Sequence, residues 1–322
     1  MSEPNLTEVV ATVLRNRAKE FADNISNNNA LLQRLNKRGK IKTVSGGRTI
    51  IQDLEYAENA TFKYYSGYEA LDITPSKVFD AAEFTWKQAA CTVSWSGLEV
   101  DVQASGSEAL IDLIDGRTKN AIRTLANNLS IGIYSDGTGT SGKQIGGLQL
   151  IVADAPATGT VGGINRANFS FWRNKYYDFS SASVTATSTT IQAAMRTLYI
   201  AVVRGNDKPD IIVAGSTYFG FFWASLTSIQ RITREDRGVA GFTNLAWLDA
   251  DVVYDGDATS GLGATRMYML NTKYLHWRPH KNRNVVPLVK RMATNQDATV
   301  LPIVWAGALT ASNCARQGVI TA

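Results

Sequence analysis

The sequence predicts an α+β fold, and three observations carry that expectation. Residues 105–133 hold the longest amphipathic helical pattern. Residues 41–102 read as a long β excursion. Residues 190–226 alternate helix, strand and helix. With 322 residues, 44% of them hydrophobic and 19% charged, the chain is long enough for a sizeable core. It is expected to form one large or two closely joined domains.

Residues 6–38 place Leu6, Val9, Val10, Val13, Leu14, Phe21, Ile25, Leu31, Leu32 and Leu35 mostly at three- and four-residue spacings, which is one face of a helix. The asparagine-rich residues 24–29 interrupt it. Such an arm must cover its own body or a neighbour. Next, residues 41–45 and 48–51 flank Gly46 and Gly47, a hairpin signal. Tyr56, Phe62, Tyr64, Tyr65 and Tyr68 follow, and residues 84–102 alternate Phe84, Trp86, Cys91, Val93 and Trp95 as a strand does. A β excursion so rich in aromatic residues fits either of two placements: across a partner, or at the edge of a single core.

The helix over 105–133 opens on Ser105 and Glu108 in capping-box spacing, and Leu110, Ile114, Ala121, Leu125, Leu129 and Ile133 mark its stripe. Gly116 is its weak point. Residues 148–152 read as a short apolar strand. Residues 190–203 read as a helix with Ile191, Ala194, Leu198 and Val202 inward. Residues 210–214 read as a buried strand, and Ser216 as the N-cap of a helix through Phe219, Phe222 and Leu226. Runs at 252–254, 266–270 and 300–304 extend the sheets, with Pro302 restricting the last to an edge.

Composition narrows the function classes. No run of about 18 apolar residues is present, so no membrane-spanning helix is expected, and the N-terminus lacks a secretory pattern. Synthesis and use in a cytoplasm follow, where Cys91 and Cys314 are expected to be buried free thiols rather than a disulfide or metal pair. The net charge of +5 suits a nucleic-acid-facing surface but is too small for a dedicated reader of DNA.

Three chemistries are suggested and each lacks a component. Gly137, Gly139, Gly142 and Lys143 approach a phosphate-binding loop. Gln144 stands where a hydroxyl would ligate Mg²⁺, however, and the loop follows a helix instead of a strand. His276 and His280 are four apart, but Pro279 opposes a helix and no third metal ligand stands out. Asp249 with Asp251, or Asp255 with Asp257, fit a strand face or a solvated loop equally. No catalytic residue, cofactor or metal is therefore assigned. The basic residues Arg278, Lys281, Arg283, Lys290 and Arg291 suit either non-specific phosphate contacts or salt bridges to a neighbouring subunit.

Three local patterns are shared with one family. They are Ile145-Gly146-Gly147-Leu148, then Gly162-Gly163-Ile164-Asn165-Arg166, then Trp172-Arg173-Asn174. This series, with Pro209-Asp210 entering an apolar strand and Ser216-Thr217-Tyr218 after it, resembles the major capsid proteins of tailed bacteriophages. The resemblance covers nearly the whole chain in order. It implies the Hong-Kong-97 fold, with an N-terminal arm (1–40), an extended loop and return strand (41–102), and a peripheral domain (103–189) whose spine helix is 105–133. An axial domain (190–270) and a C-terminal return (271–322) complete it. It also implies a non-enzymatic shell subunit without cofactors, partnered by many copies of itself in pentamers and hexamers and by packaged double-stranded DNA. A portal, a separate scaffolding protein and a decoration protein are further implied partners, in a virion assembled in the host cytoplasm. Tyr56, Phe62, Tyr64, Tyr65 and Tyr68 are the expected intersubunit contacts. Lys63 and Lys77 lie in the region where one branch of the family cross-links subunits, without a specific match. A cargo-enclosing bacterial nanocompartment shell shares the architecture, and a nucleotide-dependent enzyme using the 137–143 loop is the reading outside it.

Overall fold

The computed structural model describes residues 29–98, 107–226, 244–255, 261–292 and 296–322. The amphipathic arm pattern before residue 29, Ser105 of the capping box, the 99–102 end of the alternating run and Asp257 lie outside the described residues, as do the side chains of Glu108 and Leu110.

Two sheets organise the fold. The first has six strands in the order Lys175–Asp178, Gly318–Thr321, Met267–Leu270, Ile211–Ala214, Ala250–Tyr254, Asn244–Trp247. Ile211–Ala214 and Ala250–Tyr254 are parallel, and the helix Ser216–Ser225 lies on the crossover between them. All four residues of Ile211–Ala214 are buried because the sheet is covered on both faces. Ile212 and Ala214 join Leu198, Val202, Tyr218 and Phe222 beneath the helices Ile191–Val202 and Ser216–Ser225. Ile211 and Val213 join the other core, with Leu129, Ile133 and Tyr268.

The second sheet is built around the long strand Ala298–Ala311. Lys87–Ser96 pairs along one side of it, and Leu275–Pro279, Val286–Pro287 and Arg291–Met292 pair along the other. The long helix Ser107–Ile133 packs on Lys87–Ser96. Its expected stripe is in place, with Ile114, Ala121, Leu125, Leu129 and Ile133 all buried. Gly116 is exposed, and a Cβ there would meet nothing within 4 Å. Gly116→Ala should therefore stabilise the folded chain by up to about 1 kcal/mol. The check is a higher denaturation midpoint with an unchanged slope.

Several local expectations are corrected. Gly46 and Gly47 do not close a hairpin: Ile41 and Val44 bridge to Trp277 and His280, and Ile50–Glu55 pairs instead with Phe79–Phe84. The run read as one strand from residue 84 is two, Phe79–Phe84 and Lys87–Ser96, separated at Thr85 and Trp86. Residues 148–151 form a helical turn, with Leu148 and Ile151 buried three apart; a short apolar run fits either period. Gly215, not Ser216, occupies the N-cap. The amides of Thr217 and Tyr218 are satisfied by the carbonyl of Ala264, so no side-chain cap is needed. Pro302 sits in an interior strand. Its carbonyl accepts from Leu288 N at 2.8 Å, so its missing N–H falls on that same side, in the gap between the short pairings at 286–287 and 291–292. The cost is confined to one ladder bond.

Candidate assembly surface

The paired strands Ile50–Glu55 and Phe79–Phe84 carry an alternating face. Ile50, Leu54, Ala82 and Phe84 are buried, while Ile51 and Phe79 are 55% and 69% exposed on the outer side. The buried side rests on a second, tight hairpin. Thr160–Val161 and Ile164–Asn165 are joined through Gly162 (φ 57°) and Gly163 (φ 77°), the conformation of a two-residue type I′ turn. A Cβ on Gly162 would lie 2.9 Å from Ala82 Cβ, and Glu83 N donates to Gly162 O. Arg166, fully buried, reaches the Ile151 carbonyl. Trp172 Nε1 donates to Val161 O at 3.0 Å, Arg173 holds the carbonyls of Arg166 and Ala167, and Asn174 exchanges bonds with Ala153. The glycine pair, the arginine and the Trp-Arg-Asn sequence thus form one packed support under the extended hairpin.

Residues 56–78 connect its strands, and here the expected aromatic residues separate into two groups. Tyr56 is half-buried, stacks on Phe171 at 5.2 Å and donates to Lys77 O at 2.7 Å, so it anchors the loop to its own chain. Phe62, Tyr64, Tyr65 and Tyr68 stand out to solvent, Tyr64 at 92% and Tyr68 fully. Leu71 (55%) and Ile73 (93%) add to this surface and were missed, although their two-residue spacing was a readable sign. An apolar patch of this kind on an otherwise ordinary surface marks a contact site. The loop keeps its shape through local bonds: Ser76 Oγ to Asn59 Oδ1, and Lys63 Nζ to Ala70 O at 2.6 Å with Glu69 at 3.6 Å. Lys77 offers its carbonyl to Tyr56.

The basic residues do not form one uniform face. Arg278 is half-buried and donates to Gln52 Oε1 at 2.6 Å, linking the second sheet to the hairpin. Lys290 lies over the Trp95 ring at 5.7 Å, and burial lowers its pKa. Lys281, Arg283 and Arg291 are exposed.

The alternative chemistries find structural uses instead. The 137–143 segment follows the C-terminal end of the long helix, where carbonyls and not amides point outward. Its Gly142 carbonyl accepts from Lys87 Nζ, and Thr140 and Ser141 turn through positive φ. Asp249 pairs with Lys208, Asp251 with Arg34, and Asp255 accepts from Tyr134, each in a different part of the fold. Both cysteines are free; Cys314 is buried, with its pKa raised to about 12 by desolvation, whereas Cys91 is only half-buried. Among the described residues no group of three or more His, Cys, Asp or Glu could hold a metal ion. Likewise, none of the described helices is long and apolar enough to cross a membrane.

His276 is buried, with Nδ1 lacking a hydrogen-bond partner. Burial, and then Lys40, Arg278 and Lys42 nearby, lower its pKa to about 4. The unfolded chain therefore binds this proton more readily than the folded one. Its contribution to stability is fully present above about pH 6.5 and is lost as pH falls towards about 4. Acidification through this window should remove on the order of 2 kcal/mol, and His276→Phe should flatten that dependence. Denaturation midpoints measured from pH 7 to pH 4.5 test this.

No family model matches the sequence, and no curated protein matches it. Solved structures do match. A capsid asymmetric unit of cyanophage A-1(L) is similar at a TM-score of 0.65 and 17% identity, over 88% of this chain and 90% of that one. The capsid of a native GTA particle gives 0.55 at 11% identity, covering 88% of each chain. A structure from Mycobacterium phage Bobi gives 0.52 at 12% identity, over 91% of this chain and 90% of its own. The chain has the Hong-Kong-97 type of fold found in tailed-phage capsid proteins.

Proposed function

We propose that the chain is the major shell subunit of a tailed bacteriophage, with copies closing into rings of five and six and the rings into an icosahedral shell around double-stranded DNA. The observation that carries this reading is the pairing of a capsid fold along nearly the whole chain with an exposed aromatic loop held out on its own support. Heterologous contacts between identical subunits generate closed rings. Each contact can be weak, because every subunit makes several at once. In this reading Phe62, Tyr64, Tyr65 and Tyr68 are intersubunit contacts, Tyr56 sets the loop angle, and residues 41–102 act as the loop and return strand. Ser107–Ile133 is the spine of a peripheral domain, and residues 190–270 supply most of an axial domain. Lys281, Arg283 and Arg291 are the exposed basic residues available to DNA phosphates or to a neighbour's carboxylates. The role is structural, without catalysis or cofactor. A separate scaffolding protein, a portal and a decoration protein complete the proposed assembly, which forms in the host cytoplasm and ends in the virion.

The test is particle size, by light scattering and negative-stain microscopy, on the chain expressed alone and with a candidate scaffold. Closed shells or sheets of rings support the reading. DNA contents favour the phage shell and a protein cargo the nanocompartment. A monomer or dimer under all conditions refutes it.

A further inference from the structure

Lys87–Ser96 is an edge strand. Its ten residues pair with Ala298–Ala311 on one side only. Gly97 N donates to Asp297 O, so by the antiparallel alternation the odd-numbered residues bond inward. The N–H and C=O groups of Gln88, Ala90, Thr92 and Ser94 then point away from the sheet. Arg117 Nη1 meets one of them, Ser94 O, at 2.9 Å. Nothing else among the described residues is seen to pair with Gln88, Ala90 or Thr92 on that side. Beside this edge runs an open groove of about 640 Å³, floored by Asn120, Ala121 and Thr124 of the long helix and by Cys91, Val93 and Trp95. Its lining holds one cation, Arg117, and no carboxylate. Long unprotected edges invite strand pairing and are normally blunted by charge, proline or a bulge. Here the outward-bonding positions are Gln, Ala, Thr and Ser.

The complementary segment is the second limb of the loop. In extended chain Glu69, Leu71 and Ile73 share one face, an acid followed by two exposed apolar side chains. The loop's contacts within its own chain are elsewhere, with Phe171 through Tyr56 and with Arg204 through Glu58 at 3.1 Å. We infer that residues 69–73 of a second copy add as a strand to the Lys87–Ser96 edge. The backbone of Ala70 and Asp72 then meets the outward groups of Ala90 and Thr92. Leu71 and Ile73 enter the groove beside Cys91 and Val93, and Glu69 faces Arg117. Main-chain bonds supply affinity and the alternate side chains supply register, as in other strand additions. The inference rests on the shell reading and adds the receiving site.

Cys91 lines the groove, so it provides the test. In assembled particles, Leu71→Cys and Ile73→Cys should each form an intermolecular disulfide with Cys91 under mild oxidation. The product would appear as multimers on non-reducing gels and disappear when Cys91→Ser is added. Directly opposed residues place their Cβ atoms about 4.5–5.5 Å apart, within disulfide reach. As a second variant, Thr92→Pro deletes one outward N–H and none of the bonds to Ala298–Ala311. It should leave a folded chain whose assembly threshold rises at least tenfold. Particles without cross-links, or cross-links confined within one chain, overturn the inference while the shell reading stands. So does normal assembly of a folded Thr92→Pro. A wild-type chain that never assembles removes both.

Discussion

Replacing Asp210 with alanine should lower the stability of the folded chain by about 3 kcal/mol, the largest loss expected from a single surface-distant carboxylate here. The side chain is 8% exposed and fully used. It accepts from Thr272 N at 2.7 Å and Thr272 Oγ1 at 2.8 Å, from Arg34 Nε at 3.0 Å, and has Arg38 Nε at 3.4 Å. Arg34 also reaches Asp210 O and Asp251 Oδ2. Three pieces of chain meet at this carboxylate: the helix Ala30–Lys37, the start of Ile211–Ala214 and the turn after Met267–Leu270. Alanine leaves the Thr272 amide without its acceptor and Arg34, 21% exposed, with only part of its anionic environment. The loss of one partner from such a pair is costly because the remaining charge stays desolvated. Asp210→Asn keeps an acceptor for Thr272 and should lose less. Chemical denaturation of the unassembled chain, read at pH 7 with the slope checked for constancy, measures both. A change below 1 kcal/mol for alanine would contradict the network's role.

The double variant Tyr64→Ser with Tyr65→Ser should behave in the opposite way, folding normally and assembling poorly. Neither ring supports the chain that carries it. Tyr64 and Tyr65 are 92% and 62% exposed, and the one ring contact recorded for them is Phe62 against Tyr64 at 5.3 Å. Stability should stay within about 0.5 kcal/mol of wild type. Interface tyrosines that become buried contribute on the order of 1–2 kcal/mol each. Losing two therefore weakens each contact by about 3 kcal/mol, roughly a hundredfold in affinity. Light scattering against concentration should show shells appearing only at far higher protein levels. Normal particles at wild-type concentration would argue against the loop as a contact surface.

The two variants separate what holds one copy together from what would join copies. Asp210 is one of the most saturated polar groups in the fold, whereas the aromatic residues at the loop tip are among the least contacted. Their exposure is unfavourable in an isolated chain, and it is explained if they are covered in an assembly.

The elements that could be read from the sequence are those whose pattern is long and has one inward face. The stripe from Ile114 to Ile133 is buried as its spacing predicted, and so are Ile191, Ala194, Leu198 and Val202. Their period repeats often enough to exclude the alternatives. Residues 148–152 are too short for that test, so packing under the end of the long helix decided their conformation. The same holds for residues 41–51: each half could pair locally, yet Trp277, His280 and Phe79–Phe84 offered better partners far away in sequence.

The candidate surface divides along the same line. Composition located the aromatic residues in one loop, and the tertiary structure sorted them, because only Tyr56 has Phe171 within reach. The basic residues were likewise one group by position until Gln52 and Trp95 engaged Arg278 and Lys290. Pro302 shows the limit most clearly. A missing N–H forbids a ladder bond on one side of a strand, but which side, and whether a partner is needed there, depends on strands that join from elsewhere. By itself the sequence determined which segments have an apolar face and where charge and aromatic residues gather, since these follow from spacing and composition. The tertiary structure alone decided which faces found a partner within the chain and which stayed open, since that depends on contacts between residues hundreds of positions apart.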